Sequence, residues 1–258
     1  MLTLPTDRCF VVAEAGTNHA SPQPDDRFKN AMTYVLRAKE AKADSIKFQW
    51  FDLESSEALF CPLDGDHWRW PRWRDSAMHK DDWTQVKRFA EACGLVFLAS
   101  TFQHSTVAWL NELGVVATKV ASRAAATFPY ESAPPPYLIS TGLGGAPMPF
   151  RTWDETQQVP PKGAPPFILF ECESKYPSIK RWFWPSDCGT APMQGFSDHS
   201  GTPWRAIDAI SRGCRIVEVH YHLDERDAGP DLAASLSLDE LKMVCEARDA
   251  FSELRKGS

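Results

Sequence analysis

The side chains able to do chemistry in this sequence sit where short apolar runs end. Lys47 follows one such run and Lys119 another, with Ser100, Ser122 and Ser197 at comparable places. Two ammonium groups among several hydroxyls suit a phosphate and a carboxylate, because they combine charge with multiple donors. Ser197 and His199 are two apart on one extended face, as are Glu218, His220 and His222, and Gln49 shares the phase of Lys47. Two imidazoles on adjacent strands suit a divalent metal, with Glu14 or Asp231 close enough to assist. An N/O set with water positions left open fits a Lewis acid acting on a carbonyl. A lone Ser or Thr at a strand end is most simply a satisfied cap, and a histidine pair alone is weak evidence. Two lysines and two or three histidines converging with a glutamate are harder to explain as caps, because burying charge costs free energy unless it is partnered.

The elements that must bring these residues together alternate between short apolar and longer amphipathic stretches, the pattern of βα units in a parallel sheet. Eight strands are predicted near Cys9–Ala13, Ser45–Gln49, Val96–Ser100, Ala117–Ala121, Tyr137–Ser140, Phe167–Phe170, Gln194–Ser197 and Arg215–His220. Helices are clearest at Arg27–Lys42, Asp81–Cys93, Ser105–Leu113, Pro203–Arg212 and Leu238–Leu254, with Gly94, Gly114 and Gly213 as stops. Eight such units describe an α/β fold, a (β/α)8 TIM barrel forming a single domain over residues 1–258, whose active site lies at the C-terminal ends of the strands. Two stretches fit poorly. Gly142–Pro166 is rich in Gly and Pro, so the fifth helix is expected to be short or absent. Phe60–His79 reads as a long connection carrying Trp68, Trp70, Trp73, Arg69, Arg72 and Arg74, and a connection of that length is usually functional or disordered.

Composition excludes several classes. With 258 residues, 43% hydrophobic and 24% charged, the chain is ordinary globular protein. Its formal charge of −6 and lack of a basic run argue against nucleic acid as a partner. Seven scattered cysteines without a CxxC pair suggest reduced thiols. No secretory leader and no apolar run long enough to cross a membrane are evident, so a cytoplasmic enzyme is expected.

The same residues lie in strings that resemble the N-acetylneuraminate (sialic acid) synthase family. VVAEAGTNHA resembles the family's opening strand and AKADSIKFQ its "GADxxKFQ" segment. LASTFQHSTVAWLNELGVVATKVAS is similar to its third and fourth βα units, PYLISTGLG to its fifth strand, and FECESKYPS to its sixth strand and "YP" turn. GFSDHSGTPWRAIDAISRGCRIVEVHYHLD and GPDLAASLSLDEL are similar to its last units. The likeness runs in order along almost the whole chain and covers the catalytic barrel only; the family's C-terminal antifreeze-like domain, which contributes an arginine to the neighbouring subunit's sugar site, is expected to be absent.

The resemblance implies a transferase that joins phosphoenolpyruvate to an aldehyde sugar. Lys47, Ser100, Lys119, Ser122, Ser174 and Ser197 would bind phosphoenolpyruvate, with Ser100 where a threonine is usual and Ser174 where an asparagine is usual. His199 and His220 would ligate Mn²⁺ or Mg²⁺, while Glu14, Gln49, Tyr176 and Asp231 would face the acceptor or the metal's water shell. The metal would polarise the open-chain aldehyde, the methylene carbon of phosphoenolpyruvate would attack it, water would add, and phosphate would leave by C–O cleavage, giving a 2-keto-3-deoxy acid. The resemblance leaves room for a homodimer.

Three departures fall on the acceptor side. The family's fourth-strand "SGE" is here Ser122-Arg123-Ala124, the antifreeze-like domain is expected to be absent, and the Trp/Arg-rich segment replaces the loop after the second strand. They suggest a changed acceptor, aromatic or negatively charged, with Trp68, Trp70 or Trp73 stacking on it and Arg123 or a loop arginine pairing with it. The competing expectation is that these tryptophans only seal the top of the barrel. His222 is a candidate third ligand, with a role behind the ligands or at the surface favoured. Two other accounts remain open at this point: a metal-dependent sugar-phosphate isomerase or aldolase with Glu14 as base, and a degenerate barrel that binds a metabolite without turnover.

Overall fold

The structure is a computed structural model that describes residues 2–52, 59–61, 66–142, 166–178, 194–224 and 229–256. Eight parallel strands follow one another in chain order: β1 Phe10–Gly16, β2 Ser45–Trp50, β3 Val96–Thr101, β4 Thr118–Val120, β5 Tyr137–Ser140, β6 Phe167–Glu171, β7 Gly195–Asp198 and β8 Ile216–Tyr221. β8 pairs back onto β1, with Val12 opposite Glu218 and Glu14 opposite His220, and this closes the barrel. A two-residue strand, β9 Ser235–Leu236, is added beside β8.

The strands are buried on both faces, as an all-parallel barrel requires, except β6, where only Phe170 is fully buried. Inside, Phe10, Val12, Leu98, Ala117, Leu138, Phe170 and Ile216 fill the lower barrel, with Leu2 and Leu4 of the N-terminal segment packed beneath. Outside, a larger apolar layer joins the strands to the helices. The helices turn one stripe inward: Ala31, Tyr34, Val35 and Ala38 of α1 (Pro24–Glu40), Trp83, Val86 and Ala90 of α3 (Lys80–Ala92), and Ala206, Ala209 and Ile210 of α5 (Pro203–Ser211). α4 spans His104–Glu112 and α6 Leu238–Lys256. Gly94, Gly114 and Gly213 follow α3, α4 and α5 at positive φ, as their reading as helix stops requires.

The boundaries correct the sequence reading by a few residues. α1 starts at Pro24, because a proline in the first turn followed by Asp25 and Asp26 makes a good N-terminus. The larger correction concerns Phe60–His79. It holds a 3₁₀ turn at Asp66–Trp68 and a short helix, α2, over Trp70–Ser76. Only Trp73 and Ser76 of α2 are buried, too small an apolar stripe to announce a helix by periodicity. The expectation for the fifth helix falls on residues 143–165, and Cys188 is likewise outside the described residues. Cys9, Cys61, Cys93, Cys172, Cys214 and Cys245 are thiols. Among the described residues no helix is long and apolar enough to cross a membrane.

Candidate active site

Thirteen of the residues singled out from the sequence line one cavity of about 290 Å³ at the C-terminal mouth of the barrel: Glu14, Lys47, Gln49, Ser100, Lys119, Ser122, Arg123, Ser174, Tyr176, Ser197, His199, His220 and Asp231. Strand register explains the convergence. Lys47 lies opposite Glu14, Glu14 opposite His220, Ser197 opposite Glu218, and Ser100 opposite both Gln49 and Lys119.

The floor is a buried row of alternating charge. Lys47 Nζ is 2.8 Å from Glu14 Oε1 and 3.7 Å from Glu218 Oε2, and Lys119 Nζ is 3.6 Å from Glu218 Oε1. Lys47 also donates to Ser100 Oγ at 3.2 Å and Lys119 to Ser140 Oγ at 2.6 Å, while Ser197 Oγ donates to Glu218 Oε1 at 2.9 Å. The Lys119 ammonium lies 4.8 Å over the ring of Phe170, the top of the lower core. Burial pushes Glu14 up toward its neutral acid against the pull of Lys47. For Glu218 burial acts the same way, yet Lys119 and Lys47 together outweigh it and hold the group below its usual range. Burial also opposes charge on both lysines. Glu14 and Glu218 overcome it at Lys47, whereas Lys119 stays below its ordinary value. An anion beside Lys119 would therefore offset the cost of burying its ammonium.

One wall is aromatic and basic in nitrogen. His199 and His220 have ring centroids 5.2 Å apart, and Tyr176 stacks on His199 at 4.4 Å and meets His220 edge-on at 5.8 Å. Burial lowers the pKa of both histidines, with His199 adding to the effect at His220, so both rings are neutral and each keeps a lone pair. The Nδ1 of His220 is buried without a hydrogen bond, 4.0 Å from Asp231 Oδ2. Among the described residues no group of three or more His, Cys, Asp or Glu has the arrangement of a metal cage. The donor set present, two neutral imidazoles with carboxylates near, fits a divalent cation that retains water and does not fit a closed tetrahedral zinc site. Gly16 closes this side. A β-carbon there would lie 3.4 Å from Glu14 Oε1, 3.5 Å from Gln49 Nε2 and 3.6 Å from Asp231 Oδ2. It sits at φ +54° where the β1–β2 register shifts, a bulge beside the site.

The mouth is built by α2 and the segment after β4. Trp73 is buried, stacked on Phe51 at 5.2 Å, with Phe51 stacked in turn on Phe102 at 5.3 Å. Trp70 packs against Trp73 and does not line the cavity, so the sealing role holds for Trp70, whereas Trp73 is part of the lining. Trp68 lines the cavity and is 55% exposed, with the Arg69 guanidinium 4.5 Å over its ring. Arg123 also lines the cavity, donating from Nη2 to Cys61 O at 2.8 Å and lying 5.3 Å over the Trp73 ring. Ala124 beside it is fully buried in the outer core. α2 is fixed in place: His19 Nε2 donates to Ser76 O and Arg27 Nη1 to Ala77 O, each at 2.9 Å, and Arg72 packs beneath Gly229.

Sequence reasoning left Glu218 without a role, although its phase with His220 was visible; it contacts both lysines. Ser140 and Arg69 join the lining as well, the candidate tryptophans Trp68 and Trp73 are in it, and His222 is not.

Comparison with known proteins follows the same geometry. Residues 34–258 match the NeuB family. The chain is 29% identical over 255 residues to the N-acetylneuraminate-9-phosphate synthase of Homo sapiens, covering 90% of this chain and 67% of that protein. It is 26% identical over 269 residues to the N,N'-diacetyllegionaminic acid synthase of Legionella pneumophila, covering 96% and 74%. The crystal structure of the sialic acid synthetase of Leptospira borgpetersenii superposes with a TM-score of 0.75 at 23% identity, over 98% of this chain and 89% of that one, and so shares the fold. With its family match running from α1 to the last residue, this chain belongs to the NeuB family and is an enzyme of the synthase type.

Proposed function

We propose that this chain condenses phosphoenolpyruvate with an aldehyde sugar to give a 2-keto-3-deoxy acid and inorganic phosphate, and that its acceptor carries an anionic group. The observation that supports this most is one cavity in which the Lys47–Glu218–Lys119 row lies beneath two neutral imidazoles.

Lys47 and Lys119 would hold the phosphate and carboxylate, with Ser100, Ser122, Ser174 and Ser197 donating to their oxygens. His199 and His220 would hold a divalent metal, Mn²⁺ or Mg²⁺, which when bound supplies Lewis-acid polarisation of the acceptor's carbonyl. Gln49, Glu14 and Tyr176 would orient the open-chain aldehyde; burial keeps the Tyr176 phenol protonated and so a donor. The bond formed joins the methylene carbon of phosphoenolpyruvate to the aldehyde carbon. Water adds at the adjoining carbon, and the C–O bond to phosphate breaks as the ketone forms. The aldehyde oxygen ends as a hydroxyl, and Asp231, which burial pushes up toward its acid form despite Arg69 and Arg72, is our choice for that proton.

At the mouth, Arg69 and Arg123 both line the cavity, and planar guanidinium forks suit an acceptor bearing a phosphate or carboxylate away from its aldehyde.

The test is phosphate release from phosphoenolpyruvate with Mn²⁺ across paired neutral and phosphorylated aldoses. Acceptor-dependent release that vanishes in His199→Ala supports the synthase. Loss of preference for the charged acceptor in Arg123→Ala supports the reading of the mouth. Phosphoenolpyruvate binding without release points to a binding protein, and turnover of a sugar phosphate without phosphoenolpyruvate to an isomerase.

A further inference from the structure

The turn after β6 is tied to His199 in a way the proposed reaction does not use. A neutral imidazole has one N–H and one lone pair, and which nitrogen holds which depends on its partners. Nδ1 of His199 lies 2.6 Å from the carbonyl oxygen of Glu173. A carbonyl has no proton to give, so Nδ1 carries the N–H and the lone pair is left on Nε2, the nitrogen near Tyr176 OH (3.3 Å) and Ser197 Oγ (3.4 Å) at the cavity wall. The same carbonyl accepts from the Lys175 N–H at 2.8 Å. The tautomer of His199 therefore depends on where the Glu173 carbonyl is held.

The Glu173 side chain, on a partly buried residue, is engaged within the protein. Its carboxylate accepts from Ser178 Oγ at 2.5 Å, and that hydroxyl in turn accepts from Arg205 Nη1, in the first turn of α5, at 2.9 Å. The Ser178 N–H meanwhile donates to the carbonyl of His199 itself at 2.7 Å. Ser178 is buried and so reaches His199 by two routes, directly through the backbone and through Glu173 to the ring. Its hydroxyl acts as donor and acceptor at once, an arrangement in which neighbouring hydrogen bonds strengthen one another.

We propose that Ser178 is a positioning residue for His199: with Glu173 and Arg205 it holds the imidazole as the Nδ1–H tautomer and keeps the Nε2 lone pair turned into the cavity. Its consequence for metal affinity rests on the reading of His199 as a ligand; the tautomer itself does not. Partners standing behind a ligating histidine commonly change metal affinity about 10- to 100-fold when removed.

The test compares the wild-type chain with Ser178→Ala, Glu173→Gln and Arg205→Met. Long-range ¹H–¹⁵N correlations of the histidine rings read the His199 tautomer without metal, titration with Mn²⁺ alone reads affinity, and thermal unfolding reads stability. We expect a single Nδ1–H form in the wild type, mixed tautomers with about tenfold weaker Mn²⁺ binding in Ser178→Ala and Arg205→Met, and recovery in Glu173→Gln, whose amide oxygen still accepts from Ser178. A merely structural network would lower the melting temperature and leave tautomer and Mn²⁺ affinity unchanged, and that result overturns the proposal. Should Ser178→Ala fail to fold, Arg205→Met, on the partly exposed side of α5, carries the comparison. A wild-type chain that binds no Mn²⁺ removes the functional reading, while the ring nitrogens still decide this one.

Discussion

The ammonium of Lys47 sits 2.8 Å from the Glu14 carboxylate, with both side chains almost wholly out of water. Removing one member of such a pair leaves a buried charge uncompensated, whereas removing both does not. Lys47→Met is expected to cost about 3 to 5 kcal/mol in unfolding free energy. Glu14→Gln combined with Lys47→Met is expected to recover part of it. Denaturant unfolding of the two single variants and the double variant measures the coupling; additive losses would show the pair to be energetically independent.

A second prediction concerns pH and lies away from the buried lysine–glutamate row. His19 is enclosed by Phe48 and Trp83 and donates to Ser76 O, and burial lowers its pKa from 6.5 to about 4. Between those values the unfolded chain binds a proton that the folded chain does not, so stability falls as pH drops from 6.5 through 4 and is complete above 6.5. The full span corresponds to about 3 kcal/mol. Urea unfolding across this range should show the loss, and His19→Leu should flatten that part of the profile.

Gly16 offers a test of crowding and strain together. At φ +54°, Gly16→Ala is expected to cost about 1 to 2 kcal/mol, because a β-carbon disfavours the left-handed region. Its methyl would also stand between Glu14, Gln49 and Asp231, so turnover is expected to fall by more than stability does. Equal losses in kcat/KM and unfolding free energy would reduce the effect to strain.

Metal binding should be visible as folding energy. With Mn²⁺ at a hundredfold excess over its dissociation constant, the native state is expected to gain about 2.7 kcal/mol, removed by chelation. His199→Ala or His220→Ala should lose this gain. A melting temperature insensitive to Mn²⁺ in the wild type would contradict the assignment of the two histidines.

On the opposite end of the barrel, Asp44 accepts from Arg8 Nη1 at 2.9 Å, Arg248 Nη1 at 2.8 Å and the Val11 N–H at 2.8 Å. Asp44→Asn is expected to destabilise by about 3 to 5 kcal/mol, since it weakens a part-buried charge network. Mn²⁺ affinity should stay at its wild-type value, and a parallel fall in affinity would mean that the two ends of the barrel are coupled.

Much of this was legible in the residues alone. Short apolar runs that carry Lys47, Ser100, Lys119, Ser197 and His220 at or near their ends point to strands and to the end of each that carries chemistry, because a strand's burial is written in its own residues. Strand phase likewise put Glu218 on the face of His220. What composition and phase cannot convey is which charge answers which across the barrel. That Glu218 bridges both lysines depends on β8 closing onto β1 and on the diameter of the closed sheet, both set by tertiary packing. The fate of the Trp/Arg segment was decided the same way. Trp70 packs on Trp73 and Trp73 on Phe51, while Trp68 and Arg69 are left at the mouth, because α2 is pinned by His19, Arg27 and the Gly229 turn, residues remote in sequence. The tautomer of His199 belongs to this second kind of fact as well. It follows from the position of a single carbonyl, which only the folded turn provides.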